Sequence, residues 1–239
     1  MRLQKFTPIL ALAVFILASC SKKDTTPAIT YRTPTSTHAQ IAIPAGLQTQ
    51  ASKDSIYAVI AVSEISLANV MASYATDFTL GSGENATATS NGAVYSWTYG
   101  DVGYWMTYSV LSDKYTWTWD WKTAQIPRFT YLSAEELKNG SGGNWKIYDE
   151  TGTNTVAADY TWTLTGSVYN ATMNFYSASS ATTKYVIVDN GNNSGSFQVF
   201  EGAVKKVQIT WNTDGTGNYW FSDDGTTATY TGTWTATGK

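Results

Sequence analysis

The chain has 239 residues, with 15 Lys and Arg against 18 Asp and Glu, a net charge of −3 and 14 % charged positions. A mildly acidic chain without a basic stripe lacks the electrostatic footprint that nucleic acid demands, so no nucleic-acid partner is expected. One cysteine and one histidine leave no material for an internal disulfide or for an ordinary zinc cluster.

At the N-terminus, Arg2 and Lys5 precede any acid, and an uninterrupted apolar run follows from Ile9 to Ala18. A charged segment and then a short apolar one is the layout of a secretory leader. The run has roughly half of the about 20 apolar residues that a spanning helix needs. It ends in Leu17-Ala18-Ser19-Cys20, which resembles the lipobox of bacterial prolipoproteins at all four positions: a Leu, two small residues and the Cys that receives diacylglycerol. The resemblance implies removal of residues 1–19, acylation of Cys20 and a membrane-lipid partner. Cys20 is the only cysteine, so no disulfide competes for its thiol. Several acyl chains on one cysteine make a stable anchor where a single chain is marginal.

Ser21 follows, where an Asp would favour inner-membrane retention in the enterobacterial scheme, so the resemblance implies the outer membrane. Lys22-Lys23-Asp24 is similar to the charged segment of surface-exposed Bacteroidota lipoproteins. Both the periplasmic face and the cell surface stay open. Cleavage leaves 13 cations against 18 acids, a net charge of −5.

Residues 20–50 form the lipidated Cys and a tether. Thr25, Thr26, Pro27, Pro34, Ser36 and Pro44 punctuate it, and no hydrophobic period offsets the entropy of ordering it, so it is expected to be extended. His38, the chain's one histidine, belongs to this stretch. Residues 51–239 are expected to form one domain. It begins with a helix over 52–76, with Ser52 as N-cap, where Ile56, Ile60, Leu67, Met71 and Tyr74 recur at helical spacing. With only Glu64 charged in its interior, this helix is expected to have protein on more than one side.

From Ala93 the period becomes two. Tyr95–Tyr99, Tyr104–Val110 and Tyr115–Trp121 alternate aromatic and small polar residues around tight turns, the pattern of a meander. Further strands are predicted at Trp145–Tyr148, Tyr160–Thr165, Tyr169–Tyr176, Lys184–Val188, Ser196–Phe200, Lys205–Trp211, Asn218–Phe221 and Thr229–Trp234, joined by Gly/Asn/Asp-rich connections. Ser133-Ala134-Glu135-Glu136 reads as a capping box that opens a short helical turn ending at Asn139-Gly140. The fold expected is mainly β: one long N-terminal helix on a large curved antiparallel meander sheet or half-barrel of about 11 strands. In outline it is similar to the lipoprotein-carrier proteins of the Gram-negative periplasm, a likeness of fold alone.

All ten Trp and 13 of the 16 Tyr lie at or beyond Tyr95. Their aromatic face suits plain core packing, an apolar-ligand cavity between helix and sheet, or rings stacked on sugar. Tyr115, Trp117, Trp119 and Trp121 form a row along one face and are the candidate ligand-stacking residues.

Catalytic chemistry has little to work with. The lone His lies in the tether and the lone Cys is acylated, so nucleophilic hydrolysis lacks its base. Paired carboxylates remain, as in glycoside hydrolases, with Asp120 the one mid-strand acid, expected on the exposed Thr face. Asp189/Asn190/Asn193 and Asp214/Asp223/Asp224 offer oxygens for calcium, but turn chemistry accounts for them. Neither a metal nor a cofactor is expected. The reading is a non-catalytic, membrane-anchored binding or structural lipoprotein, with an apolar ligand or a glycan as alternative partners.

Overall fold

The computed structural model describes residues 30–34, 41–53, 55–73, 78, 85–149, 154–177 and 180–237. Leu17, Ala18, Ser19, Cys20, His38 and Tyr74 lie outside them. Two units divide the chain: Met1–Thr30, of which only Thr30 is among the described residues, and Tyr31–Lys239.

The second unit is built on one open antiparallel sheet whose thirteen strands follow one another in chain order. They are β1 (Asn85–Thr89), β2 (Gly92–Tyr99), β3 (Val102–Val110), β4 (Lys114–Lys122), β5 (Phe129–Leu137), β6 (Gly142–Tyr148), β7 (Val156–Thr165), β8 (Val168–Ser177), β9 (Ser180–Asp189), β10 (Gly195–Glu201), β11 (Val204–Trp211), β12 (Gly217–Phe221) and β13 (Tyr230–Trp234). Every neighbouring pair is a hairpin, which is why alternation and turn residues made the meander readable.

Two strands exceed the expected count. Asn85–Thr89 has small, mostly exposed side chains, so no apolar alternation marks it. Ser133–Glu136 is not a capping box but part of β5. There Ala134 pairs with Trp117 and Trp145 across the sheet, and tertiary pairing overrides local helical preference. The turn signal itself is real: Gly140 takes φ +70° in the β5–β6 connection.

The single long helix is also corrected. Among the described residues there are two helices, α1 (Ala45–Ala51) and α2 (Ile56–Ala72). Ser52 closes α1, and Ser55 is the N-cap of α2, its hydroxyl accepting from the Ala58 N–H. α1 docks on β13 at Gly46, where a Cβ would stand 2.1 Å from the Thr235 carbonyl oxygen, so only a glycine permits the approach.

α2 presents the opposite face from the one the spacing suggested. Ala58, Ala61, Ile65, Ala68 and Ala72 are buried, while Ile56, Ile60 and Leu67 are exposed. The cause is volume. The sheet face beneath already carries Trp, Tyr and Phe, and a close-packed interior leaves a helix there room for small side chains. Contacts tie the helix to that face along its length. The Tyr57 ring stacks on Tyr230 at 3.6 Å, the Ser55 and Tyr219 hydroxyls are 3.3 Å apart, and Glu64 hydrogen-bonds Tyr185.

Candidate functional site

Strand alternation sets Tyr115, Trp117, Trp119 and Trp121 on one face of β4, beside Tyr108, Met106 and Tyr104 of β3. The row is one surface in sequence but two environments in space. Its first half is filled by the protein's own N-terminal segment. Trp117 is 1 % exposed and its indole N–H donates to the Arg32 carbonyl at 2.7 Å. The Arg32 guanidinium lies 4.7 Å from the Tyr115 ring centroid, within cation–π range. Its Nη2 donates to Glu136 Oε1 at 2.5 Å. Tyr31 meets Tyr95 and Tyr108 edge-on, each at 5.4 Å, and donates its hydroxyl to the Phe78 carbonyl at 2.5 Å. Burial pushes the Tyr31 phenol pKa upward, with Tyr95 and Tyr108 adding to the shift.

Residues 31–34, expected in the tether, thus belong to the packed unit. No hydrophobic period announces them, because two adjacent side chains do the work. Tyr31 supplies the ring, and Arg32 supplies a cation that neutralises the buried Glu136. An unpaired carboxylate there would be costly.

The second half of the row is less covered. Trp119 and Trp121 are half-buried. Tyr104 tilts against Trp119 at 6.3 Å and stacks on Trp97 at 5.6 Å, and Trp121 lies 4.9 Å from Phe129. Tyr99, next along this face of β2, is exposed. The Trp119 indole nitrogen is buried without a hydrogen-bond partner. Trp97, Tyr99 and Tyr104 were missed as site residues, although their period-two spacing placed them on the same face.

The carboxylates are committed elsewhere. Asp120 is buried rather than exposed. Where the β4–β5 register shifts, skipping Tyr131 and setting Thr130 opposite Asp120, Asp120 meets Arg128, which donates from Nε at 2.9 Å and Nη2 at 2.6 Å to Oδ2. Thr130 donates to Oδ1 at 2.9 Å, and Arg128 also covers the Trp105 ring at 4.5 Å. Glu136 is on the aromatic face and Asp120 on the other, so the two cannot flank one glycosidic bond. Asp159 accepts from Asn174 and Tyr176.

Turn acids satisfy their own loops. Asp189 Oδ1 accepts from the Gly191 N–H at 2.8 Å, and Asp214 Oδ1 from the Thr216 N–H at 2.9 Å. Asp224 Oδ1 accepts from the Thr226 and Thr227 N–H groups, both at 2.8 Å, which hold its carboxyl pKa well below the usual range. Among the described residues no group of three or more His, Cys, Asp and Glu is placed to hold a metal ion.

One carboxylate is under-satisfied. Glu64 projects from α2 to the Tyr185 hydroxyl, leaving Oε2 buried without a partner. Burial raises the Glu64 pKa, and Tyr185 is pushed up to about 12 by its own burial and by Glu64. Comparison with protein-family models and with curated proteins returned no match.

Proposed function

We propose that the chain is a lipid-anchored lipoprotein of a bacterial outer membrane, carrying an extracytoplasmic β-domain that binds or scaffolds without catalysis. The observation that carries this reading is Cys20. It is the only cysteine of the chain and stands at the end of an apolar run, behind Leu17-Ala18-Ser19. Residues 1–19 are its leader, and acyl chains on the cysteine hold the mature protein to the membrane.

The non-catalytic part of the proposal draws on where the acids sit. Asp120 and Glu136 are each paired with an arginine, so these two do not form a free acid–base pair. A structural or binding role is favoured over a lipid carrier because the aromatic face is filled by the chain itself. Trp117, Trp145, Tyr108, Tyr160 and Phe197 are among its fully buried side chains. In this reading the sheet wraps round α2 as a half-barrel, with protein in place of cargo.

Fractionation of the expressing bacterium tests the anchor. The wild-type chain should sediment with the outer membrane and be released by detergent but not by high salt, while Cys20→Ser leaves that fraction. Equal recovery of both chains in the outer membrane overturns the proposal.

A further inference from the structure

α2 carries an apolar face that the fold leaves uncovered. Ile56, Val59, Ile60, Leu67 and Val70 are all exposed, Ile56 at 66 % and Val70 at 59 %. At 3.6 residues per turn they fall within about 100° of helix circumference, over a helix about 25 Å long. The polar groups at the margins are engaged. Ser66 returns its hydroxyl to the Val62 carbonyl at 2.7 Å, Asn69 is bonded to both the N–H and the carbonyl of Ile41, and Glu64 is tied to Tyr185. Ser63 is the one polar residue on the stripe, and none of the chain's 18 acids lies on it. Contiguous apolar faces of this kind mark a docking surface.

The length and root of the tether point to what covers it. The packed unit begins at Tyr31, eleven residues after Cys20, a span of at most about 40 Å when fully extended. That root lies on the α2 side of the domain. Tyr31 is hydrogen-bonded to Phe78, a few residues past the C-terminal end of α2, and Ile41 is clamped to Asn69 in its last turns. A tether rooted on that side leaves α2 within reach of the lipid. The mature chain is acidic, yet the stripe offers no charge for anionic headgroups to repel. Burial of apolar side chains at the headgroup–acyl boundary is the affinity of interfacial helices.

We propose that the aliphatic stripe of α2, from Ile56 to Val70, lies against the bilayer to which Cys20 is anchored and so orients the sheet relative to the membrane. The inference rests on acylation of Cys20. The acyl chains hold the protein, and the helix sets its attitude.

Acylation consumes the only native thiol, so Val59→Cys and Leu67→Cys each give the full mature chain one labelling site. Thr161→Cys, exposed on the opposite sheet face, is the control. Nitroxide-labelled, acylated chains are reconstituted into vesicles of phosphatidylethanolamine and phosphatidylglycerol. Collision rates with oxygen, which concentrates in lipid, are compared with those of a water-soluble nickel chelate. At positions 59 and 67 oxygen collisions should exceed chelate collisions severalfold, with the reverse at 161. Chelate-dominated collisions at all three positions overturn the proposal. So does dipolar broadening at 59 or 67 that vanishes on dilution with unlabelled chain, which assigns the stripe to a second copy. The intact mass of the same preparation separates the two readings. A chain without acyl mass removes the lipoprotein reading and this inference together, whereas an acylated chain with water-exposed labels removes this inference alone.

Discussion

Glu64 and Asp224 show how one carboxylate chemistry is pushed in opposite directions by its surroundings. Asp224 sits in an exposed loop, where backbone N–H groups stabilise its charged form and lower its pKa. Its contribution to stability is present above the ordinary carboxylate pKa and lost as pH falls through the lowered value. Glu64 is half-buried, bonds one hydroxyl and leaves Oε2 unpartnered, so burial favours its neutral form. Its contribution is full below the ordinary carboxylate pKa and lost as pH rises through the raised value. Glu64→Gln removes the charge and keeps an acceptor for Tyr185. We expect it to stabilise the protein at pH 7.5 by about 1 kcal/mol, or a rise in Tm of roughly 2–4 °C. The gain should disappear near pH 4, where wild-type Glu64 is itself protonated. Thermal melts at the two pH values check this, and a destabilised variant at pH 7.5 would show that the carboxylate has an unidentified partner.

At the scale of elements, alternation and turn chemistry carried most of the sheet. Strands with aromatic-polar alternation, such as Tyr115–Trp121 within β4, were legible because each residue's face follows from its parity. β1 was not, since Asn-Ala-Thr-Ala-Thr has no apolar face to read. β5 was misread because the Ser-Ala-Glu-Glu pattern of a cap is equally an alternating strand, with Glu135 bonded outward to Lys114 and Glu136 inward to Arg32. α2 was legible as a helix but not in its orientation. Sequence spacing finds the bulkiest stripe, while an aromatic wall selects the smallest. α1 went unseen behind Pro44, and its place depends on one glycine. Gly46→Val would drive a side chain into Thr235 and Trp234, costing about 1–3 kcal/mol as α1 lifts from β13. Chemical denaturation measures the loss. Hydrogen exchange should place it at α1 and β13, and unchanged protection there would contradict the docking.

For the whole molecule, the candidate site was half legible. The row Tyr115, Trp117, Trp119, Trp121 was found, but sequence parity cannot tell that Tyr31 and Arg32 return from 85 residues upstream to fill its first half. Nor could it find the ion pair of the buried Asp120, since its partner Arg128 lies eight residues away in the β4–β5 connection. These placements make a β-domain that begins eleven residues after Cys20, whose aromatic face is filled and whose α2 carries an exposed apolar face. The proposed anchor requires that Cys20 be acylated. Growth in labelled palmitate, followed by isolation of the protein and its intact mass, tests that most directly. We expect label on the wild-type chain, a mature N-terminus at Cys20 with acyl mass attached, and no label on Cys20→Ser. A wild-type chain that matures without label, or a Cys20→Ser chain labelled as strongly as the wild type, would contradict it.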